Sequence, residues 1–197
     1  MRRYWIAGVA ALVFALPAAV SAETWKLDPE HTGVHFKVRH LMVSYVRGEF
    51  EKVSGKIVYD EQDISRSSAE ITIDAASINT RVAKRDNHLK SPDFLDVANH
   101  PHLVFRSKKV EKAGAGKLRM TGDLTIRGVT REVVLEIEGP TAKIKDLQGN
   151  TRVGGSAFTK IKRDDFGLTW NKAIETGGVV VGNEVEITID IELVQET

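Results

Sequence analysis

Residues 184–193 read EVEITIDIEL, and every second side chain of this stretch is apolar. The positions between the apolar ones carry Glu, Thr or Asp. The apolar set consists of Val185, Ile187, Ile189, Ile191 and Leu193. An alternation of period two with one apolar face is typical of a half-buried antiparallel strand. The stretch therefore predicts a sheet with a charged face toward water and an apolar face toward an interior.

The same alternation recurs along the chain and divides it into about eight strands. The predicted strands are 32–40, 44–60, 66–75, 102–110, 116–127, 131–139, 151–162 and 182–195. Evenly spaced strands with turns between them favour a sandwich or a closed barrel. The charged face argues against an outer-membrane barrel, whose outward face must be apolar to meet lipid. Eight strands enclose either a core filled by side chains or the space for one small ligand.

The segment 76–101 interrupts the strands and is too long for a hairpin connection. Within it, residues 82–90 are predicted to be helical. Ser91-Pro92-Asp93 then resembles an N-cap followed by proline at the first position of a short helical turn.

The amino terminus has the pattern of a secretory signal peptide. Arg2 and Arg3 precede an apolar run from Ile6 to Leu16, and small residues at 20–22 offer a cleavage site. The run is shorter than the roughly 20 residues that span a bilayer, which disfavours the alternative of an uncleaved anchor. We therefore expect residues 1–22 to be a cleaved signal peptide and residues 23–197 to form one exported domain, with no stable transmembrane anchor.

Composition excludes several functional classes. Lys plus Arg number 28 and Asp plus Glu number 27 among 197 residues, so no positive excess is available for general nucleic-acid binding. The chain has no cysteine, which rules out a disulfide scaffold, a thiolate metal site and a Cys nucleophile.

The motifs that stand out along the chain are WKLDPEHT at 25–32, the stretch 34–41, GEF at 48–50, SINT at 77–80, RDNHLKSPDFLD at 85–96, GDLTIRGVT at 122–130 and RDDFGL at 163–168. Together they resemble the YceI-like family of periplasmic lipid-binding proteins. The resemblance implies an all-β fold, an extended lipocalin-like eight-stranded antiparallel β-barrel with a helical insertion around 80–96. It also implies a periplasmic location, an apolar tunnel holding an isoprenoid-type amphiphile, and homodimers in some members.

A bound amphiphile requires an apolar channel and a few polar groups near one mouth. The predicted tunnel lining consists of Val34, Phe36, Val38, Phe50, Ile57, Ile71, Ile73, Phe105, Leu118, Met120 and Leu124. The alternative for these residues is a solid core without ligand, since an eight-stranded barrel can be filled by its own side chains.

Candidates for the lipid head group lie near the predicted helix. Arginine suits a phosphate because its planar fork donates two hydrogen bonds, and Arg85 is accompanied by Asp86 and His88. His40 shares the inward parity of the first predicted strand and joins them as a head-group candidate. The competing interpretation is that Arg85 and Asp86 brace the helix against the barrel.

No pattern predicts a metal site or a catalytic centre. His31 and His35 are four strand residues apart, roughly 13 Å, which is too far for one ion. His100 and His102 lack a visible third ligand. Gly-x-Ser-x-Gly, His-Glu-x-x-His and phosphate-loop motifs are absent from the sequence.

The expected function is therefore a carrier that sequesters an isoprenoid lipid, such as a polyisoprenoid or a quinone precursor, without catalysis or any other cofactor. The alternatives are an enzyme acting on a lipid head group in the same barrel, with His88 or His40 as base, and a stress-related interaction module with structural lipid.

Overall fold

The computed structural model describes residues 22–175 and 177–196, and its chain is mostly β-strand. The first six strands are β1 Glu23–Leu27, β2 Gly33–His40, β3 Ser44–Phe50, β4 Val53–Tyr59, β5 Ser68–Asp74 and β6 Ile78–Asn79. They are followed by helix α1, Ala83–Lys90. The remaining strands are β7 His102–Gly114, β8 Lys117–Ile126, β9 Val129–Glu138, β10 Ile144–Lys145, β11 Thr151–Lys162 and β12 Val181–Gln195.

Eight of these strands form a closed antiparallel barrel, which confirms the predicted fold class. The hydrogen-bonded order is β1-β4-β5-β7-β8-β9-β11-β12, and β12 returns to β1 through the pairing of Leu193 with Leu27. Strand β2 pairs with the N-terminal part of β12, on the same edge that binds β1 further along. Strand β3 then pairs with β2, and β6 pairs with β3. The barrel therefore has full closure and no open edge around its ring.

Several strand boundaries differ from those predicted, and two of the differences affect the topology. Residues 23–27, which were assigned to no strand, form β1 between β4 and β12. The predicted strand 44–60 is divided into β3 and β4 at residues 51–52, where the backbone N–H groups of Glu51 and Lys52 bond to Ser77. At this point the chain changes partners, from β2 and β6 to β1 and β5.

The long strand β12 shows why the alternating sequence folds in this way. It pairs with β11 along one edge from Glu184 to Val194, and with β2 and β1 along the other. Its apolar positions face the barrel interior and its acidic positions face out, where Glu186 meets Lys37 and Glu184 meets Lys160. This 15-residue strand is thus hydrogen-bonded along both of its edges and closes the ring.

Helix α1 and the turns after it close over one end of the barrel, in agreement with the predicted helical insertion around 80–96. The carbonyl of Ser91 accepts hydrogen bonds from the N–H groups of Phe94 and Asp96, which folds the chain back after the helix. Leu89, Phe94 and Leu95 reach the barrel interior from this segment.

The predicted signal peptide, residues 1–22, lies outside the described residues except for Ala22. Within the described part of the chain, no helix has the length and apolar character needed to cross a membrane.

Candidate functional site

The barrel encloses an apolar cavity of about 290 Å³, close to the lower limit for small-molecule sites. All eight strands of the ring contribute side chains to its wall. The lining extends along β12 from Val181 to Leu193, which corresponds to about 40 Å at the rise of a strand. A small volume spread over such a length is the shape of a narrow tunnel and suits a linear chain.

Every residue predicted to line the tunnel contributes to the cavity wall. These side chains are Val34, Phe36, Val38, Phe50, Ile57, Ile71, Ile73, Phe105, Leu118, Met120 and Leu124. Their contact with a bound lipid remains a prediction. The same inward parity extends to β9, β11 and β12, whose lining residues could have been read from the alternation in the same way.

Two phenylalanine rings of the wall lie over glycines on the neighbouring strand. A Cβ atom added at Gly48 would come within 2.5 Å of the Phe36 ring, and one added at Gly122 within 2.6 Å of the Phe105 ring. Any larger residue would push these rings out of place, because protein interiors are close-packed. The glycines therefore set how far each ring projects into the cavity.

The predicted head-group residues make other contacts and do not line the cavity. Arg85 donates from Nε to Thr80 Oγ1 and from Nη2 to the Thr80 carbonyl, both at 2.7 Å. The Asp86 carboxylate accepts from the Thr80 N–H at 2.8 Å. These bonds connect α1 to the residue that follows β6. This is the arrangement expected if Arg85 and Asp86 brace the helix against the barrel.

The two histidines of the head-group prediction also have partners elsewhere. His88 Nε2 lies 2.8 Å from the Asp93 carboxylate, and its ring packs edge-on against Phe94 and Trp170. His40 ends β2, where its backbone pairs with Val181 and Ser44.

Among the described residues, Arg163 is the charged side chain that lines the cavity, and it was not one of the predicted site residues. Its relative exposure is 6%. It follows Ala157, Thr159 and Ile161 at alternate positions that face the cavity. Its Nε donates to the Gly182 carbonyl at 3.1 Å, and its Nη1 donates to the carbonyl of Leu168. Burial lowers the pKa of the guanidinium from its ordinary value, and the group still carries its charge at neutral pH.

No carboxylate among the described residues lies within ion-pair distance of Arg163. A buried cation without a counter-ion is costly, since it has given up its hydration. An anionic or strongly accepting group placed in the cavity at this point would offset that cost.

A second charged cluster, which we call the clamp, lies on the outer wall at the far end of β12. Arg152 donates to Asp28, to Asp146 Oδ2 at 2.6 Å and to Glu192 Oε1 at 2.7 Å. Hydrogen bonds from Arg152 hold the pKa of both Asp28 and Asp146 well below the ordinary range, and the acidic partners raise the pKa of Arg152. His31 also contacts Asp28 at 3.0 Å, and that bond raises the pKa of His31.

Asp28, His31 and Glu192 approach one another closely enough to hold a metal ion. Arg152 Nη1 already contacts both of these carboxylates, so the positive charge at this point comes from the protein itself.

Comparison with known proteins places this barrel in a family. The model of the YceI-like domain matches residues 25–193 of the chain. The chain belongs to the YceI-like family. Protein YceI of Salmonella newport is 37% identical over 190 residues, which cover 95% of each chain.

Solved structures share the YceI-like fold at lower identity. BcnA of Burkholderia cenocepacia superposes with a TM-score of 0.74 at 23% identity, over 84% of this chain and 98% of that one. A polyisoprenoid binding domain from Saccharophagus degradans superposes with a TM-score of 0.62 at 15% identity, over 87% and 98%. At these identities the likeness concerns the fold.

Proposed function

We propose that this protein is a periplasmic carrier that sequesters an isoprenoid-type amphiphile in the barrel, without chemical conversion of the ligand. The observation that carries the proposal is the long apolar tunnel, lined from Val181 at one end to Leu193 at the other. Burial of an alkyl chain contributes about 0.8 kcal/mol per methylene group, so a long tail binds firmly with few polar contacts.

The family and the fold neighbours support the class of ligand. The Saccharophagus degradans domain is a polyisoprenoid binding domain with the same barrel. A polyisoprenoid or an isoprenoid quinone precursor is linear and apolar along most of its length, as this cavity requires.

The polar end of the ligand is proposed to lie at Arg163. This side chain combines a buried charge with unused N–H donors at the wall of the cavity. Of the residues expected for this role, Arg85, Asp86 and His88 have side chains bonded to other parts of the protein, so a head group would have to displace those contacts. His40 does not line the cavity.

Native mass spectrometry of protein purified gently from a bacterial periplasm tests the proposal. A stoichiometric adduct whose extracted lipid shows a prenyl repeat mass would support it. A fatty acyl adduct would keep the tunnel and change the ligand class. An unliganded mass, with no uptake of added prenyl lipids, would overturn the carrier function.

A further inference from the structure

The turn between β2 and β3 exposes three consecutive apolar side chains beyond the end of the barrel. Leu41, Met42 and Val43 are 37%, 46% and 79% exposed, and Tyr45 beside them is 37% exposed. We call residues 41–43 the apolar tip. A contiguous exposed apolar surface of this kind on a soluble fold commonly marks an interaction site.

The backbone of the apolar tip does not explain its sequence. The Val43 N–H bonds to the His40 carbonyl at 3.1 Å, and φ is 49° at Leu41 and 60° at Met42. A turn with positive φ at both central positions favours Asn-Gly, because a Cβ atom is strained in the left-handed region. Two bulky apolar residues occupy these positions against the preference of the turn, which points to a requirement for their side chains.

The charged residues next to the tip in sequence are cationic, and one of them, Lys37, is paired with Glu186. Residues 37–48 contain one lysine, two arginines and a histidine, and no acidic residue. Arg39 lies over the Tyr45 ring, with its Cζ 4.2 Å from the ring centroid, and the Cζ of Arg47 lies 5.9 Å from the same centroid. Neither arginine is within ion-pair distance of a carboxylate in the part of the chain that the structure describes.

We propose that the apolar tip docks this protein on the surface of a bilayer that contains anionic lipids. Apolar side chains enter the boundary between head groups and acyl chains, and cationic residues nearby attract anionic head groups. Tyrosine is also enriched at this depth of a membrane. Arg39, Tyr45 and Arg47 thus surround the tip with the groups that such an interface favours.

The tip is continuous with the wall of the cavity. The Leu41 N–H donates to the Val180 carbonyl at 2.8 Å, and the adjacent residues Val38 and Val181 line the cavity. Docking therefore brings this end of the barrel against the membrane, where an amphiphile enters or leaves. That last consequence rests on the proposed function, whereas docking itself does not.

Flotation with vesicles tests the proposal directly, with phosphatidylcholine alone or mixed with phosphatidylglycerol. The double variant Leu41→Asn, Met42→Gly gives the turn its preferred residues, so we expect unchanged or higher thermal stability. Bilayer binding is expected to fall at least about tenfold, because the buried apolar area is lost. Leu147→Ser is the matched control, since Leu147 is a fully exposed apolar residue in the turn beside the opposite end of β12.

The double variant Arg39→Gln, Arg47→Gln tests the charge. Each arginine is expected to account for about fivefold in affinity for the mixed vesicles, with the loss diminishing as salt is added. Binding that is equal on neutral and anionic vesicles would overturn the proposal, as would full binding by the Asn-Gly variant. If the tip instead contacts a second copy of the chain, analytical ultracentrifugation will show a dimer that the Asn-Gly substitution dissociates, and this also overturns bilayer docking.

Native mass spectrometry of the same variants separates this proposal from the proposed function. The tip does not line the cavity, so the variants should still bind a prenyl lipid that is added in solution when they no longer float. A protein that floats but never carries lipid would retain bilayer docking and exclude the carrier function.

Discussion

The two ends of the barrel use charge in opposite ways. At the clamp end, Arg152 is neutralised by Asp28, Asp146 and Glu192 on the outer wall, and the interior there is apolar. At the other end, which we call the hairpin end, the cation of Arg163 is buried without a counter-ion and apolar side chains reach the solvent. An ion-paired charge can stabilise a fold, whereas a buried charge that lacks an ionic partner is a candidate for ligand binding. We therefore expect the clamp end to contribute to stability and, under the proposed function, the hairpin end to be where ligand is exchanged.

The packing beneath the hairpin end gives the largest expected effect. Phe166 is 1% exposed and belongs to the 3-10 turn that follows β11 and carries Arg163. Phe166→Ala should lower the free energy of unfolding by about 3–5 kcal/mol, because it deletes a buried ring and leaves a void. Denaturant unfolding measures this, with Phe158→Ala as control, since Phe158 is 39% exposed on the outer face. Equal losses in the two variants would show that the hairpin end is loosely packed.

A ring that faces the cavity should behave differently from Phe166. Phe36→Ala is expected to weaken retention of a prenyl lipid by about tenfold or more, because the transfer free energy of a buried aromatic ring corresponds to at least that ratio. Its effect on the unliganded fold should be smaller than that of Phe166→Ala, because one side of the ring faces open space. Ligand dissociation followed by native mass spectrometry checks this, with Phe158→Ala again as control. Unchanged retention in a folded Phe36→Ala protein would remove this ring from the binding surface.

The apolar interior of the barrel was accessible from the sequence, because it follows from the periodicity of the strands. Alternation along a strand reports which face is buried, so an apolar interior and the predicted lining residues followed from it, while the choice of a barrel over a sandwich came from the family resemblance. The break at residues 51–52 was missed although the apolar positions change parity there, from Val46 and Phe50 to Val53 and Ile57. Alternation describes the burial of each position and contains no information about its neighbours across the sheet.

Side-chain partners distant in sequence could not be predicted for the same reason. Arg152 meets Asp28 across 124 residues, and neither residue stands out from other surface charges before the barrel closes. Arg163 was accessible in principle, since it continues the inward parity of β11 as a charged residue. The head-group role assigned to Arg85 depended on its residue type, whereas its contacts with Thr80 depend on how α1 folds back on β6.

The Arg163 charge provides the next test of the comparison. Arg163→Met should reduce binding of a polyprenyl phosphate by about tenfold or more relative to the matching polyprenol, because a hydrogen bond to a charged group is lost. Arg163→Lys keeps the charge and should recover part of the preference. Competition between the two lipids for the purified protein measures the ratio. A ratio that is the same in the wild type and both variants would mean that Arg163 only anchors the carbonyls of Leu168 and Gly182.

At the clamp end, the expected effect is a change in acid stability. The pKa values of Asp28 and Asp146 are lowered in the folded state, so their contribution is present above the unfolded pKa of about 3.9 and lost as pH falls below it. Arg152→Ala removes the main cause of both shifts and should move acid unfolding to higher pH. Circular dichroism during acid titration measures the midpoint, with Arg119→Ala as control because its pair with Glu136 is half exposed. Equal midpoints in the two variants would contradict the assignment of stability to the clamp.

The smallest expected effect belongs to His31, and it has the opposite dependence on pH. Asp28 raises the pKa of His31 in the folded state, so the contribution of the protonated ring is complete below its unfolded pKa of about 6.5. It is lost as pH rises through the folded value. His31→Asn should therefore lower thermal stability at about pH 5 and have little effect at about pH 8. Proton NMR titration of the wild type should show a His31 pKa above its ordinary value that falls in Asp28→Asn. If His31→Asn destabilises the protein equally at both pH values, the interaction with Asp28 does not depend on the charge of the ring. His31 would then not belong to the ion-pair network of the clamp.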